Sequence, residues 1–243
     1  MFRGVISQTN KSILIRSFCT GGPAKSTAAP TGNVLRLGDV CPDFTQDTQS
    51  GKVNFYKHSG DNWSILFSHP ADYTPVCTTE LGRVAKLLPE FEKRKCKVLA
   101  LSVDSAKDHS NWISDINETQ KCDVTYPIIA DQDRKVANLY GMVHPNTDST
   151  FTVRSVYFIA PDKKLRAQIT LPPSTGRNFD EILRILDSLQ LADKFKIATP
   201  VDWVDGQDVI IPPTVSDEAA KQMFPKGFKK IKPYLRTTPQ PNK

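Results

Sequence analysis

Hydrophobic and polar positions along most of the chain follow the periods of short strands and amphipathic helices. Apolar runs predict buried strands at 53–56, 63–68, 97–103, 126–130, 151–159 and 165–170. A helix is predicted from Thr78, because Leu81, Val84, Ala85, Leu88 and Phe91 recur at helical spacing, with Pro89 expected to kink or break it. Helices are also predicted around Trp112, from Asp131 to Tyr140 and from Asn178 to about Leu191. Alternating strands and helices predict an α/β sandwich.

The pattern changes after Ala198, where prolines are frequent and periodicity is weak. We expect this segment to build no core of its own and to lie against the main domain or a partner subunit. A loose tail is the alternative, but Trp203, Val209 to Ile211 and Phe224 are too apolar to leave in water. The predicted organisation is therefore an N-terminal segment at 1–33, a main domain at 34–198 and an extension at 199–243.

The positive charge of the chain lies at its N-terminus. The net charge is +6, yet five basic residues and no acidic residue precede Asp39, which leaves 32 − 5 = 27 Lys and Arg against 26 Asp and Glu. The remainder is nearly neutral, so the sequence does not favour a nucleic-acid surface or a nucleic-acid partner.

The first 33 residues are rich in Ser, Thr, Gly and Ala as well as basic residues. Phe2, Ile6 and Ile13 would share a helical face, with Arg3 and Arg16 elsewhere, which is typical of a mitochondrial transit peptide cleaved near Arg16 to Cys19. An uncleaved, disordered extension on a cytoplasmic protein is the alternative. The apolar run Ile13 to Ile15 is too short for a secretory signal, and no run of about 18 apolar residues predicts a membrane span, so we expect no stable membrane association.

The stretch from Ser68 to Glu80, SHPADYTPVCTTE, carries the chemistry. Cys77 falls where a helix begins, and the free N–H groups and dipole of a first turn favour a thiolate there. Thr74 can direct its hydroxyl at whatever the sulfur attacks, while Pro70 and Pro75 stiffen the loop and remove two backbone donors.

The spacing from Pro70 through Thr74 to Cys77 resembles the peroxidatic loop of the peroxiredoxins, and the run from His69 to Glu80 resembles their one-cysteine branch. The resemblance covers nearly everything from Leu35 to Pro241. It implies a thioredoxin-like fold, reduction of hydrogen peroxide and organic hydroperoxides through a cysteine sulfenic acid, and a C-terminal extension that helps form a homodimer. It implies no cofactor.

Three further charged residues are candidates for the site. The resemblance adds an arginine on a neighbouring strand, matched by Arg154, and a charged residue between apolar ones is costly unless it faces an anion. An exposed arginine on an edge strand is the alternative. Glu80 could orient Arg154 or only cap the helix, and Arg177 resembles the family's second active-site arginine.

The histidines suggest neither a protease nor a metal site. His69 beside Cys77 could be the base of a cysteine protease, but we expect it to support the loop, because no third orienting group is evident. His58, His109 and His144 lack metal-ligand spacing with the cysteines, so no zinc site is expected.

The cysteines leave the route of reduction open. Their odd number, five, fits a reducing compartment, and Cys41, Cys96 and Cys122 are expected to be structural. No cysteine follows Cys122, so we predict an external thiol reductant such as glutathione or thioredoxin, although Cys19, Cys41, Cys96 or Cys122 could act after rearrangement.

Alternative functions make different demands on the sequence. A peroxide sensor or holdase chaperone would show little turnover. A disulfide reductase would need a second cysteine after Cys77, where Thr-Thr-Glu stands instead. Some one-cysteine relatives also hydrolyse phospholipids, but Asn62 and Tyr56 stand where the serine and histidine would be, with only Asp162 matching, so we expect no phospholipase activity.

Overall fold

A computed structural model describes residues 35–143 and 151–243. The strands are β1 (Thr45–Thr48), β2 (Gly51–Asn54), β3 (Trp63–Ser68), β4 (Cys96–Ser102), β5 (Ile128–Ala130), β6 (Arg154–Ile159), β7 (Leu165–Leu171), β8 (Val209–Ile210), β9 (Lys229–Lys232) and β10 (Leu235–Thr238). The helices are α1 (Phe55–Ser59), α2 (Pro75–Lys93), α3 (Ala106–Gln120), α4 (Lys135–Leu139), α5 (Phe179–Phe195) and α6 (Asp217–Met223). The predicted targeting segment, Cys19 and His144 lie outside the described residues.

The seven-stranded sheet brings three chain segments to one edge. Its order is β2-β1-β5-β4-β3-β6-β7, with β3 parallel to β4, β4 parallel to β5, and β6 antiparallel to β3. Residues that follow β3 and β4 therefore emerge at the same edge as the start of β6. His69 follows the first of these strands, and Arg154 opens the last.

Strict alternation along the central strands builds two apolar layers. In β3, Ile65 and Phe67 belong to the layer packed with α2, α3 and α5, whereas Leu66 belongs to the opposite layer with α1 and α4. A central strand covered on both sides reads as a continuous apolar run, which is why the sequence indicated it clearly. The predicted α/β sandwich is confirmed, with helices on both faces of a mixed sheet.

Helix α2 begins earlier than predicted. It begins at Pro75, with Thr74 as N-cap residue, because proline fits the first helical turn, where its missing N–H is not needed. Of the kink or break predicted at Pro89, the break is wrong, because Pro89 lies inside the helix, which continues to Lys93. Leu81, Val84, Ala85 and Phe91 are buried as predicted.

Several boundaries also shift. The strand predicted at 53–56 ends at Asn54, whose side chain accepts a hydrogen bond of 2.9 Å from the Lys57 amide and so starts α1. The strands predicted from Tyr126 and Phe151 begin only at Ile128 and Arg154.

The C-terminal region packs against α5 of the main domain, as one of the two predicted placements required, but it also contributes an apolar cluster and a sheet that the sequence did not predict. Strands β8, β10 and β9 form a second, three-stranded sheet. A separate apolar cluster joins this region to the end of α5 and contains Leu191, Ile197, Trp203, Val209, Ile211, Ala220 and Phe224. Because β8 has two residues and β9 and β10 four each, the strands are too short to show a period in the sequence. Among the helices described, none is long and apolar enough to cross a bilayer.

Candidate active site

Cys77 lies in the first turn of α2 and is fully buried. Thr74 makes no side-chain cap in the described structure, and Pro75 has no N–H, so the amides of Val76 and Cys77 lack intrahelical partners. The Thr78 amide, 3.0 Å from the Thr74 carbonyl, makes the first helical bond. The positive end of the helix therefore faces the sulfur, as predicted.

Arg154 is the cation that contacts the sulfur. Its Nη1 lies 3.2 Å from the Cys77 Sγ, and its Nε and Nη2 donate to the Pro173 carbonyl at 3.0 and 2.8 Å. The residue is 2% exposed and opens β6, which lies between β3 and β7. The alternative of an exposed arginine on an edge strand is therefore wrong. A guanidinium held on its far side by a carbonyl has a fixed orientation towards the sulfur.

Glu80 joins Arg154 to Arg177. Its Oε2 accepts hydrogen bonds from Arg154 at 2.7 Å and Arg177 at 2.6 Å, and its Oε1 accepts from the Arg177 backbone N–H at 2.7 Å. Burial would raise the pKa of Glu80, but the hydrogen bonds and charge of Arg177, together with the charge of Arg154, outweigh burial and lower that pKa. The carboxylate thus remains charged and orients Arg154, as one of the two predicted roles required.

Arg177 acts behind this carboxylate. Besides Glu80, its Nη1 donates to the Ser68 and Ser155 carbonyls at 2.9 and 3.2 Å, and its guanidinium lies over the Phe67 ring at 4.9 Å. It ties the ends of β3 and β6 to the start of α5. In the described contacts Arg154, and not Arg177, touches the sulfur.

Thr74 and Pro70 occupy the loop that precedes α2. The Thr74 hydroxyl donates to the Ala71 carbonyl at 3.0 Å, so its proton is committed and its oxygen can accept a hydrogen bond from a peroxide O–H. Pro70 is buried directly after β3 and, like Pro75, presents no N–H to compete for a ligand. The His69 side chain makes its described hydrogen bond to Asp72, and not to Cys77, and so belongs to a separate buried network.

That network contains two residues that the sequence analysis missed. His69 Nε2 lies 2.9 Å from Asp72 Oδ1, and His109 Nδ1 lies 2.6 Å from Asp72 Oδ2. Both histidines are fully buried, and Asp72 is 7% exposed. The available signal was topological, because Asp72 follows β3 and His109 follows β4, and these parallel strands end at one edge.

The same cluster contains the three residues best placed to hold a cation. His69, Asp72 and Asp104 offer one ligand atom each within 4.8 Å of one another. Asp104 Oδ2, however, already accepts from the Ser102 hydroxyl at 2.7 Å and the Asp72 amide at 2.9 Å. We therefore interpret the cluster as a hydrogen-bonded network.

The other three described cysteines, Cys41, Cys96 and Cys122, pack with apolar residues. Neither they nor Cys77 form a disulfide. Burial and the charge of Asp39 raise the pKa of Cys41 to about 12. Burial raises the pKa of Cys96 and, less strongly, that of partly exposed Cys122. Cys41 belongs to the sheet layer opposite the one that contains Cys77.

The positions compared with a serine hydrolase are engaged elsewhere. Asn62 Nδ2 donates to the Ser59 carbonyl at 3.1 Å, and the Tyr56 hydroxyl donates to the Cys41 carbonyl at 2.7 Å. Asp162 Oδ2 accepts from Arg166 at 3.2 Å. The described contacts join no serine, histidine and aspartate here.

Two family models match separate parts of the chain. The AhpC/TSA family matches residues 37–168, which contain the Cys77 loop, and the C-terminal domain of 1-Cys peroxiredoxin matches residues 188–227. The second match spans the end of α5 and much of the C-terminal apolar cluster.

Relatives and solved structures agree with these matches. The chain is 72% identical to a 1-Cys peroxiredoxin of Dictyostelium discoideum over 98% of this chain and 99% of that protein, and 52% identical to mouse peroxiredoxin-6 over 85% and 98%. A yeast mitochondrial 1-Cys peroxiredoxin, studied for thiol resolution through the glutathione and thioredoxin systems, superposes with a TM-score of 0.80 at 50% identity, covering 85% of this chain and all of that one. A cysteine-to-serine mutant of peroxiredoxin 6 from Arenicola marina gives 0.81 at 46% identity, covering 86% and 100%. The chain therefore belongs to the AhpC/TSA family, in its one-cysteine peroxiredoxin branch of thiol peroxidases.

Proposed function

We propose that Cys77 is the peroxidatic thiol of this peroxidase. The contact of 3.2 Å between Arg154 Nη1 and the Cys77 sulfur, in the first turn of α2, is the observation that carries the proposal. A guanidinium and free helix amides stabilise a thiolate, and they also stabilise the charge that develops on a peroxide oxygen next to it.

The reaction assigns a task to each neighbouring group. The thiolate attacks the terminal oxygen of the hydroperoxide and forms an S–O bond as the O–O bond breaks, which gives a sulfenic acid and an alkoxide that takes up one proton. The Thr74 oxygen accepts from the peroxide O–H, and the Cys77 amide and Arg154 donate to the reacting oxygens. Glu80 and Arg177 keep Arg154 in place.

An external thiol regenerates Cys77 in this proposal. Its sulfur attacks the sulfenic acid and releases water, which leaves a mixed disulfide that a second thiol reduces. Cys41 lies on the other side of the sheet, and Cys96 opens β4 opposite Trp63, at the end of the strands away from the Cys77 loop, so neither can reach Cys77 without a large rearrangement. The yeast relative studied with the glutathione and thioredoxin systems favours one of those reductants.

We further propose a homodimer in the mitochondrial matrix. The match to a C-terminal domain of 1-Cys peroxiredoxin supports dimerisation through the region after α5. The acid-free, basic N-terminal segment supports import, as does the mitochondrial origin of one structural relative. Sedimentation of the purified protein, and import of a tagged full-length chain with and without residues 1–33, test these two points.

Intact-mass analysis after one equivalent of hydrogen peroxide tests the nucleophile. The wild type should gain one oxygen, trapped as an adduct by a sulfenic-acid reagent, and Cys77→Ser should not. A variant that retains Cys77 as its sole cysteine should keep full turnover with added thiol. Peroxide consumption by Cys77→Ser would overturn the proposal, and an intramolecular disulfide in the wild type would overturn the external reductant alone.

A further inference from the structure

Asp72 is the centre of a buried anchor for the segment between β3 and α2. We call His69, Asp72 and His109 the anchor cluster. Its two contacts, at 2.9 and 2.6 Å, join the start of the catalytic loop to α3, and the Asp72 amide donates to Asp104 at 2.9 Å. None of the described hydrogen bonds of the cluster reaches the sulfur, so the reaction outlined above leaves three buried titratable groups without a task.

The partners of His109 fix where its protons lie. Its Nε2 is 3.2 Å from the Ile129 carbonyl, which can only accept, so Nε2 carries hydrogen. Its Nδ1 is 2.6 Å from Asp72 Oδ2, a distance at which two bare lone pairs would repel. A proton therefore lies between them, and the Asp72–His109 pair holds one proton more than a carboxylate beside a neutral imidazole.

The Asp72 carboxylate also determines the form of His69. Burial is the main cause that lowers the pKa of His69, so its ring is neutral. Its Nε2 faces Asp72 Oδ1, while its Nδ1 is buried without a hydrogen-bond partner among the described residues. Hydrogen on Nε2 makes one good bond, whereas hydrogen on Nδ1 would leave a buried donor unpaired and turn a lone pair towards the carboxylate.

We propose that Asp72 and His109 are positioning residues for peroxide reduction: the hydrogen bonds that join Asp72 to both histidines hold His69 as the Nε2–H tautomer and lock the loop that carries Thr74. The inference rests on Cys77 as the peroxidatic thiol. Thr74 lies two residues after Asp72, so release of Asp72 moves the peroxide-accepting oxygen relative to the sulfur. A displacement of about 1 Å at such a site costs on the order of 100-fold in rate.

The charged neighbours of the cluster agree with this arrangement. Asp104, between β4 and α3, accepts from the Ser102 hydroxyl and the Asp72 amide and so fixes the backbone at Asp72. Arg177, before α5, acts on His69 in the opposite sense and disfavours a second positive charge there. Trp112 packs beside His69, with the two ring centroids 5.5 Å apart, and gives that side of the His69 ring an apolar neighbour.

A nitrogen NMR spectrum of the wild type tests the protonation states directly. With histidine labelled at both ring nitrogens, His109 should carry hydrogen on Nε2 and a proton shared at Nδ1 at neutral pH, and His69 should be the Nε2–H tautomer. The protein has four histidines, so His58→Gln and His144→Gln assign the other two signals. A neutral His109 with a bare Nε2, or His69 as the Nδ1–H tautomer, would overturn the inference.

Kinetics of paired variants test the positioning role. Asp72→Leu removes both hydrogen bonds and should slow sulfenic-acid formation by roughly 10- to 100-fold per folded molecule, while excess peroxide still oxidises Cys77 to completion. Asp72→Asn can accept from His69 and donate to a neutral His109, so it should restore the rate to within about threefold of the wild type. It should also remove the shared proton from the nitrogen spectrum.

The outcomes separate this inference from the assignment of Cys77. A folded Asp72→Leu variant that reacts at the wild-type rate would overturn the positioning role and leave Cys77 as nucleophile. If Asp72→Leu does not fold, His109→Ala, which removes the link between Asp72 and α3, replaces it and should slow the reaction without changing the site of oxidation. Oxidation at another cysteine would instead contradict the proposed function.

Discussion

Cys77 and Cys41 are both completely buried, on opposite sides of one sheet, and their surroundings differ in kind. Cys77 begins a helix and receives a hydrogen bond from Arg154. Cys41 packs in the layer with Phe44 and Tyr140, where burial and the charge of Asp39 raise its pKa to about 12. Burial by itself therefore keeps a thiol protonated and unreactive. A reactive buried thiol also needs a nearby positive charge and free backbone N–H groups that stabilise the thiolate.

Among the described residues, the site around Cys77 holds two buried arginines and a single carboxylate, that of Glu80. We therefore expect substitution of Glu80 to give the largest loss of stability among these predictions. Glu80→Gln keeps the shape but leaves Arg177 without a counter-charge and Arg154 with only the sulfur of Cys77. Breaking a buried ion pair in this way costs about 3–5 kcal/mol in the free energy of unfolding. Urea unfolding followed by circular dichroism measures the change.

A matched control lies on the same helix. Glu90 pairs with Lys93 and Arg94 at the surface, so Glu90→Gln should change the free energy of unfolding far less than Glu80→Gln does. Equal changes in the two variants would mean that the buried network contributes no more than a surface pair.

Arg154→Gln removes the cation that distinguishes the surroundings of Cys77 from those of Cys41, and it should slow the reaction with peroxide. Loss of one preorganised donor to the reacting atoms lowers the rate by about 10²- to 10³-fold. Stopped-flow measurement of the second-order rate with hydrogen peroxide should show this loss, whereas Arg166→Gln, on the neighbouring strand β7, should react like the wild type. A loss below about threefold for Arg154→Gln would contradict the proposed role of its guanidinium.

Acid should weaken the active-site end of the sheet through His69. Because its folded-state pKa is lowered, the unfolded chain binds a proton that the folded chain does not, as pH falls below about 6.5. The free energy of unfolding should fall from there by up to about 1.4 kcal/mol per pH unit, until the folded-state pKa is reached. His58 has a lowered pKa too, mainly through burial, so His58→Gln should remove part of the slope and leave the part due to His69. A flat profile in that variant would refute this assignment.

Local chemistry in the sequence was sufficient to place Cys77 at a helix start and to predict the central strands. Cys77 and its helix start could be read from consecutive residues, and β3 and β4 from uninterrupted apolar runs. Arg154 required both the resemblance and the cost of burying a charge, because no local pattern links it to a residue 77 positions away.

The missed features depend on contacts between distant segments. Asp72 and His109 are 37 residues apart and meet only because two parallel strands end at the same edge. The C-terminal core was missed for another reason, since its short strands alternate with proline-containing turns and show no period. Of the kink or break predicted at Pro89, the break does not occur, because the packing of Leu81, Val84 and Phe91 offsets the one backbone bond that proline removes.

Cys41 gives the smallest expected effect and the sharpest control for the comparison. Because burial and the charge of Asp39 raise the pKa of Cys41 to about 12, its thiol stays protonated at pH 8, and it is buried besides, so iodoacetamide should label partly exposed Cys122 long before Cys41. Cys41→Ala should reduce peroxide at a rate within about twofold of the wild type, because Cys41 lies across the sheet from Arg154 and the proposed external reductant leaves it no task in resolution. Peptide mass mapping of the labelled protein and steady-state turnover with added thiol measure the two effects. If Cys41→Ala lost turnover but still formed the sulfenic acid, Cys41 would be a resolving thiol, and the two sides of the sheet would have to communicate during the catalytic cycle.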